Sequence, residues 1–407
     1  MPEWSNPKQE VDWSSVSHAY GPATEVPGLL RAIRSGSQEV RQRAYSDLVE
    51  LLVDQGAQFE ASATVAPYLI EIVADPAAPD RFAACQVLAT IAVGDESSWL
   101  NDPVDPSWRR SEVKRRAQMS LKELEEEHRA WINSAPNEKA RDERARAATW
   151  GDVEGERDAE RWAMEAYDAV RAGVPVYVRA LEAPDKAVRL YAAYLLAWFP
   201  EDVETISPAL TRLIREEPNP IVAATACVAA GLAGARGDEA LIDALSARRG
   251  SGNRGESWSA VLGLARVVPH PDRALVRDLY SCLFGATGPV PHWPFLEGDM
   301  SSMAALTIRG LEPDVAHDRI SVLVQHVVNA GADTDFFMLL NALLDAAFPD
   351  GPVSDGAGFD ELTSDQQMAV LALLESNVLR AGPMVPMLLG RYHLPRDEAG
   401  LRAWSGR

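Results

Sequence analysis

VRLYAAYLLAWFP, residues 188–200, is almost free of charge and ends on a proline. It is too short to cross a bilayer as a helix, which takes about 20 apolar residues. Ala192, Ala193 and Ala197 are helix formers that strands tend to lack. Val188, Tyr191, Leu195 and Trp198 recur at spacings of three, four and three, which is one helical face. Asp185 stands where it can cap the first turn, and Pro200 stops the run. The stretch therefore predicts a buried helix of about three turns.

The same pattern returns in EVRQRAYSDLVELL from Glu39, DRFAACQVLATIAVG from Asp80, PIVAATACVAAGLAG from Pro220 and SWSAVLGLARVV from Ser257. A shorter helix precedes each of several of them, with proline expected in its first turn: EVPGLLRAI from Glu25, TVAPYLIEIV from Thr64, GVPVYVRAL from Gly173 and TISPALTRLI from Thr205. Proline costs little there, because the first N–H groups of a helix have no intrahelical partner. Short Asp, Pro or Gly turns join the two helices, as in EAPDKAV and EEPNPIV. Val26 to Val65 spans 39 residues and Val174 to Ile206 spans 32. Helix pairs at such a period predict an α-solenoid, in which each pair buries its apolar face against the next.

The turn followed by Val-Arg in APDKAVRLYAAYLLAW and SGSQEVRQRAYSDLVEL resembles the HEAT repeat. The family's proline in the first helix, Asp in the turn and Arg in the second helix map onto Pro175, Asp185 and Arg189. The likeness covers residues 23–94 and 173–247, is weaker over 255–283 and loose beyond. HAYGPATEVPGLLRAIRSG and PHWPFLEGDM are also similar to stretches of bacterial HEAT-repeat proteins. The resemblance implies a fold and brings no activity. The expected class is all-α: an α-solenoid of HEAT-like antiparallel helix pairs with an inserted charged helical hairpin.

Four regions follow: HEAT-like pairs over 1–100, the insertion over 101–155, central repeats over 156–284 and degenerate helix pairs over 285–407. Within the insertion, DPSWRRSEVKRRAQMSLKELEEEHRAWINS reads as one long helix, with Asp105 as N-cap and Pro106 at its first position. Its apolar stripe is Val113, Ala117, Leu121, Leu124, His128 and Trp131. A turn at 134–137 and an Arg-rich second helix would complete a hairpin over 106–149, with Leu121, Leu124 and Trp131 on the inner face. RRSEVKRR, residues 109–116, packs five basic residues around one Glu. The antiparallel register would place Glu154, Glu156, Asp158 and Glu160 beside that cluster, and Arg141, Arg144 and Arg146 beside Glu123, Glu125, Glu126 and Glu127.

The chain of 407 residues carries 60 acidic and 39 basic side chains, a formal net charge of -21. Such a surface repels nucleic-acid phosphates and anionic lipid over most of its area. Cys85, Cys227 and Cys282, an odd number widely spaced in apolar helices, read as reduced core thiols of a cytoplasmic protein. The start MPEWSNPKQEVDW carries no secretory signal, and no apolar run reaches membrane-spanning length.

Chemistry-bearing motifs are sparse. There is no Walker loop, HExxH or paired CxxC. GLAGARG from Gly231 falls at a helix end and reads as a C-cap. Ser111 and Lys114 form an S-x-x-K on a charged helix, a match that arises easily by chance. No two histidines share metal-ligand spacing, and the PHWPFLEGDM loop, where His292 could meet Asp299, reads as packed by Trp293 and Phe295. Trp99, Trp108, Trp131, Trp150 and Trp162 gather in or beside the insertion, as pins to the core or as an exposed contact surface. No catalytic residue, metal or cofactor is expected.

The expected function is a non-enzymatic scaffold or adaptor that uses an acidic surface to bind a basic protein or peptide. Its candidate contacts are Trp108, Arg109, Arg110, Arg115, Arg116, Trp131, His292 and Trp293. The alternatives are an inhibitor or immunity-type protein that mimics nucleic-acid charge, and a HEAT-like enzyme such as a DNA glycosylase or tetrapyrrole lyase. A glycosylase needs a basic track for phosphates, which the charge balance opposes.

Overall fold

The computed structural model describes residues 11–101, 105–135, 141–142, 144–145, 152–286, 288–330, 336–354, 356–380, 382 and 384–407. Among these the fold is all-α, with 21 α-helices and four short 3-10 turns. The strands found are two two-residue ladders, Ser17–His18 with Gly21–Pro22 and Val53–Asp54 with Ala57–Gln58. No helix among the described residues is long and apolar enough to cross a membrane. The described residues divide into two compact units, one holding residues up to Glu96, 105–135 and 141–205, the other Ser97–Asn101 and 206–407.

The first unit holds α1 (Val26–Ala32), α2 (Gln38–Leu52), α3 (Glu60–Ala74) and α4 (Arg81–Val93). After α5 (Glu96–Asn101) come α6 (Pro106–Ala117), α7 (Leu121–Asn133), α8 (Val153–Arg171), α9 (Val174–Ala180) and α10 (Lys186–Leu196). The opening stretch is α10: Asp185 caps it by accepting from the Ala187 N–H at 2.8 Å, and Val188, Leu195 and Trp198 are buried while Tyr191 is half-buried. Each fully buried aliphatic side chain of this kind contributes about 1.5–3 kcal/mol. α1 packs on α2, α3 on α4 and α9 on α10, and the second helices stack in the order α2, α4, α10. α10 thus lies directly on α4 although α5–α9 intervene in sequence. α8 covers α3 and α4, and α6 and α7 lie on α8.

The Val-Arg positions do the same work in two pairs. Arg41 Nη1 donates to the carbonyls of Ser35 at 2.9 Å and Gly36 at 3.3 Å, six and five residues back. Arg189 Nη1 donates to Ala183 at 2.8 Å and Pro184 at 3.0 Å, again six and five back. Each guanidinium closes its own interhelix turn. Arg41 also reaches Asp80, at 2.6 Å, at the start of α4.

Two proline positions differ from expectation. Pro67 lies inside α3 and Pro208 inside α11 (Val203–Glu216), because both helices begin earlier than the proline suggests. α3 starts after Phe59, whose N–H donates to Ser62 Oγ at 3.0 Å, while that hydroxyl donates to the Leu52 carbonyl at 2.6 Å.

The second unit continues with α12 (Pro220–Ala233), α13 (Glu239–Arg249), α14 (Arg254–Val267), α15 (Arg273–Gly285), α16 (Met300–Arg309), α17 (Arg319–Asn329), α18 (Phe336–Ala347), α19 (Ser364–Glu375), α20 (Met384–Arg391) and α21 (Glu398–Ser405). Its stack runs α12, α14, α16, α18, with α13 and α15 on α14 and α17 on α18. Arg248 on α13 donates to the carbonyls of Ile214 at 2.6 Å and Glu217 at 2.8 Å, closing the C-terminal end of α11. GLAGARG ends the helix as expected, with Gly234 as the C-cap of α12, while Gly231 lies within the helix. A Cβ at Gly231 would stand 2.8 Å from Gly263 Cα, and one at Gly263 would stand 2.4 Å from the Cys227 carbonyl oxygen. The two glycines let the α12 and α14 backbones approach to contact.

Candidate functional site: an aromatic and acidic cleft

The stretch from Asp105 to Ser134 is two helices where one was expected. α6 begins at Asp105, whose carboxylate accepts from the N–H groups of Ser107 at 2.9 Å and Trp108 at 3.2 Å, with Pro106 in the first turn. It ends at Ala117. Ser120 then starts α7 with a capping box: its hydroxyl accepts from the Glu123 N–H at 3.3 Å, and Glu123 Oε2 accepts from the Ser120 N–H at 2.8 Å. The physical reason for the break is this S-x-x-E signature, which supplies partners to orphan N–H groups in mid-sequence.

The break folds α7 back toward α6. Arg115 donates to Glu127 at 2.8 Å across the bend and to Glu112 on its own helix. Those hydrogen bonds hold Glu112 and Glu127 below the usual carboxylate range and raise Arg115. Arg116 reaches Glu160 on α8 at 2.6 Å, as the antiparallel register expects. Arg110 joins Asp168 at 2.6 Å and Glu201 at 2.9 Å. Arg109 is half-buried, and burial lowers its pKa. The basic cluster is thus largely neutralised within the molecule, with Glu127 in place of the residues 154–158 expected to face Arg115. Exposed pairs of this kind contribute about 0–1 kcal/mol each, so they set register more than stability.

Between α6, α7 and α8 lies a cleft of about 630 Å³ lined by Trp108, Glu112, Arg116, Leu124, Glu127, His128, Trp131, Glu156 and Glu160. Leu124 alone of these is fully buried, and it anchors α7 on α8. Trp108 is 66% exposed and Trp131 47% exposed, and Leu121 is exposed as well. Of the three residues expected on the inner face only Leu124 is buried; Trp131 lines the cleft beside it but stays exposed, as does Leu121. The His128 ring stands edge-on to Trp131 with centroids 5.7 Å apart, and its Nδ1 lies 3.9 Å from Glu156. The lining holds four carboxylates, of which Glu112 and Glu127 are paired with Arg115 and Glu160 with Arg116, beside two accessible indoles. Such a surface can attract cations and stack planar ones, and it offers neither a nucleophile–base pair nor a metal cluster. No group of three or more metal-ligating side chains is found among the described residues.

Of the expected contacts, the cleft gathers Trp108, Arg116 and Trp131, while Arg109, Arg110 and Arg115 stand outside its lining. His292 and Trp293 belong to the other unit. There Trp293 is buried against Phe295 at 5.4 Å between ring centroids, and His292 is exposed with φ 64°. Trp293 lines a separate pocket of about 350 Å³ with Trp258, Pro220 and Met300. Asp299 is occupied as the cap of α16, accepting from the N–H and hydroxyl of Ser302 at 2.9 and 2.6 Å. Ser111 Oγ donates to the Ser107 carbonyl at 3.0 Å. The three cysteines are fully buried. Arg146 and Trp150 lie outside the described residues, as does most of the expected second hairpin helix. Sequence reasoning missed Glu112, Glu127, His128, Glu156 and Glu160 as cleft residues; the signal was the register that already set α8's acids against α6's bases.

No protein-family model matches the chain, and no curated protein matches it. Among solved structures it is similar to a crystal structure of an engineered protein, at 19% identity over 94% of this chain and 97% of that one, with a TM-score of 0.28. A likeness at that score carries no argument about fold or function.

Proposed function

We propose that the protein is a non-enzymatic binding scaffold, an α-solenoid of HEAT-like helix pairs, whose helices α6, α7 and α8 dock a basic protein or peptide. The observation that carries the binding reading is the cleft, with two exposed tryptophans beside four glutamates. Interface energy concentrates in aromatic anchors, and opposite charge steers a partner onto them. The solenoid reading is supported by the ordered stacking of second helices in each unit and by the matching fold-back of Arg41 and Arg189. Internal pairing of Arg110, Arg115 and Arg116 leaves little free positive charge for phosphates, which argues against a glycosylase.

The test is titration calorimetry of the full chain with a short peptide of alternating basic and small residues. Binding should weaken at least about 30-fold in a Trp108→Ala, Trp131→Ala double variant that keeps the wild-type melting curve, since anchor residues contribute about 2 kcal/mol or more. An unchanged affinity in that variant, or no binding by the wild type, would overturn the proposal.

A further inference from the structure

The end of α7 already holds a cation, supplied by the chain itself. The Arg144 guanidinium carbon lies 5.0 Å from the centroid of the Trp131 ring. Its Nη1 donates to the Trp131 carbonyl at 2.5 Å and to Ser134 Oγ at 3.0 Å, and Ser134 Oγ in turn donates to the same carbonyl at 2.9 Å. The Trp131 carbonyl is one of the last four of α7, the groups a helix leaves without intrahelical partners. That end also carries the negative pole of the helix dipole. Ring face, carbonyl and dipole all favour a positive group at one place, beside the cleft that Trp131 lines.

The geometry suits a guanidinium better than an ammonium. A planar guanidinium can lie on an indole and still donate in its own plane to a carbonyl, a hydroxyl or a carboxylate. An ammonium is a compact, strongly hydrated charge that gains less from the stack. From this placement we infer that Trp131 and the C-terminal end of α7 form an arginine-reading site for the partner, and that Arg144 is its intramolecular occupant, which an incoming arginine displaces. The inference rests on the proposed binding of a basic partner and narrows it to arginine, with self-competition built into the site.

The experiment compares two peptides, Gly-Ser-Arg-Ser-Arg-Ser-Gly and its lysine counterpart, against the wild-type full chain and the Arg144→Gln and Trp131→Leu variants by titration calorimetry. Wild type should prefer the arginine peptide by about two- to five-fold, the worth of one exposed cation–π contact. Arg144→Gln should bind the arginine peptide more tightly by a similar factor, because the competitor is gone. Trp131→Leu should bind both peptides equally. Equal affinity of wild type for the two peptides, or no gain in Arg144→Gln, overturns the arginine site while leaving the basic-partner reading intact. Failure of both peptides to bind overturns both.

Discussion

Replacing Gly263 with Ala tests the close stacking of α12 on α14 in the second unit. The added Cβ would stand 2.4 Å from the Cys227 carbonyl oxygen and 3.1 Å from Leu245 Cδ2. The first neighbour is backbone in the middle of a helix, so relief requires the two helices to move apart. Overpacking of this kind costs about 1–3 kcal/mol. Ala is better than Gly in a helix by roughly 1 kcal/mol, which offsets part of it. The net expectation is a loss of up to about 2 kcal/mol, or a fall in Tm of up to about 8 °C for a unit of this size. Gly255→Ala is the control: it lies in the same helix, and its Cβ would meet only Asn253 Oδ1, at 3.5 Å, which is ordinary contact. That variant should be as stable as wild type or slightly more so. Thermal melts followed by circular dichroism at 222 nm report both. If Gly263→Ala melts at or above the wild-type temperature, the stacking argument is wrong.

Arg41→Ala should destabilise the first unit by about 1.5–3 kcal/mol in urea unfolding, since it removes charge-assisted bonds to the Ser35 and Gly36 carbonyls and to Asp80; a change below about 0.5 kcal/mol would show the turn closes without it. A thiol reagent such as dithiobis-nitrobenzoate should leave the native protein untouched and modify three cysteines in denaturant, because all three are fully buried and burial pushes the Cys85 thiol up to about 12; fast native labelling would contradict the packing. His326, hydrogen-bonded to Ser301 at 2.8 Å, has its pKa lowered by burial. The unfolded chain then binds the extra proton more readily, so stability should be full above about pH 6.5 and decline as pH falls below it. His326→Gln should flatten that decline, and an unchanged slope would remove His326 as its cause. A further loss is expected as pH falls below about 4.5, where Glu112 and Glu127, lowered by Arg115, take up protons.

The helical class was legible because Ala-rich apolar runs too long for strands are bounded by caps; α10 buries one face, while α12 is buried continuously from Val222 to Ala230. Asp185 and Asp105 capped the helices they were expected to cap. What the pattern hid was local competition. Val113, Ala117, Leu121, Leu124, His128 and Trp131 keep helical spacing through Gln118–Ser120, so periodicity alone joins α6 to α7. The capping box at Ser120 and Glu123 was written in the sequence, yet a stripe of apolar residues outweighed it. Leu124 and Trp131 both lie on α7, yet Leu124 is 1% exposed and Trp131 47%, a difference that helical spacing alone does not give. The prolines in α3 and α11 misled because both helices begin several residues before them, at Glu60 and Val203. GLAGARG gave the helix end through Gly234, but the closeness of Gly231 to Gly263, 32 residues away on the next helix of the stack, was not legible in it. The cleft itself could not be read, because its two indoles and four carboxylates come from three helices whose relative placement depends on the bend.

The most direct test of the docking account is site-specific photo-cross-linking. An arginine-containing peptide carrying a benzophenone next to the arginine is irradiated with the full chain, and the adducts are mapped by mass spectrometry. The account predicts adducts concentrated in residues 106–133 and on α8, suppressed by excess unlabelled arginine peptide and lost when Trp108 and Trp131 are both replaced. Adducts spread evenly over the chain, or concentrated in the second unit and insensitive to those replacements, would contradict it.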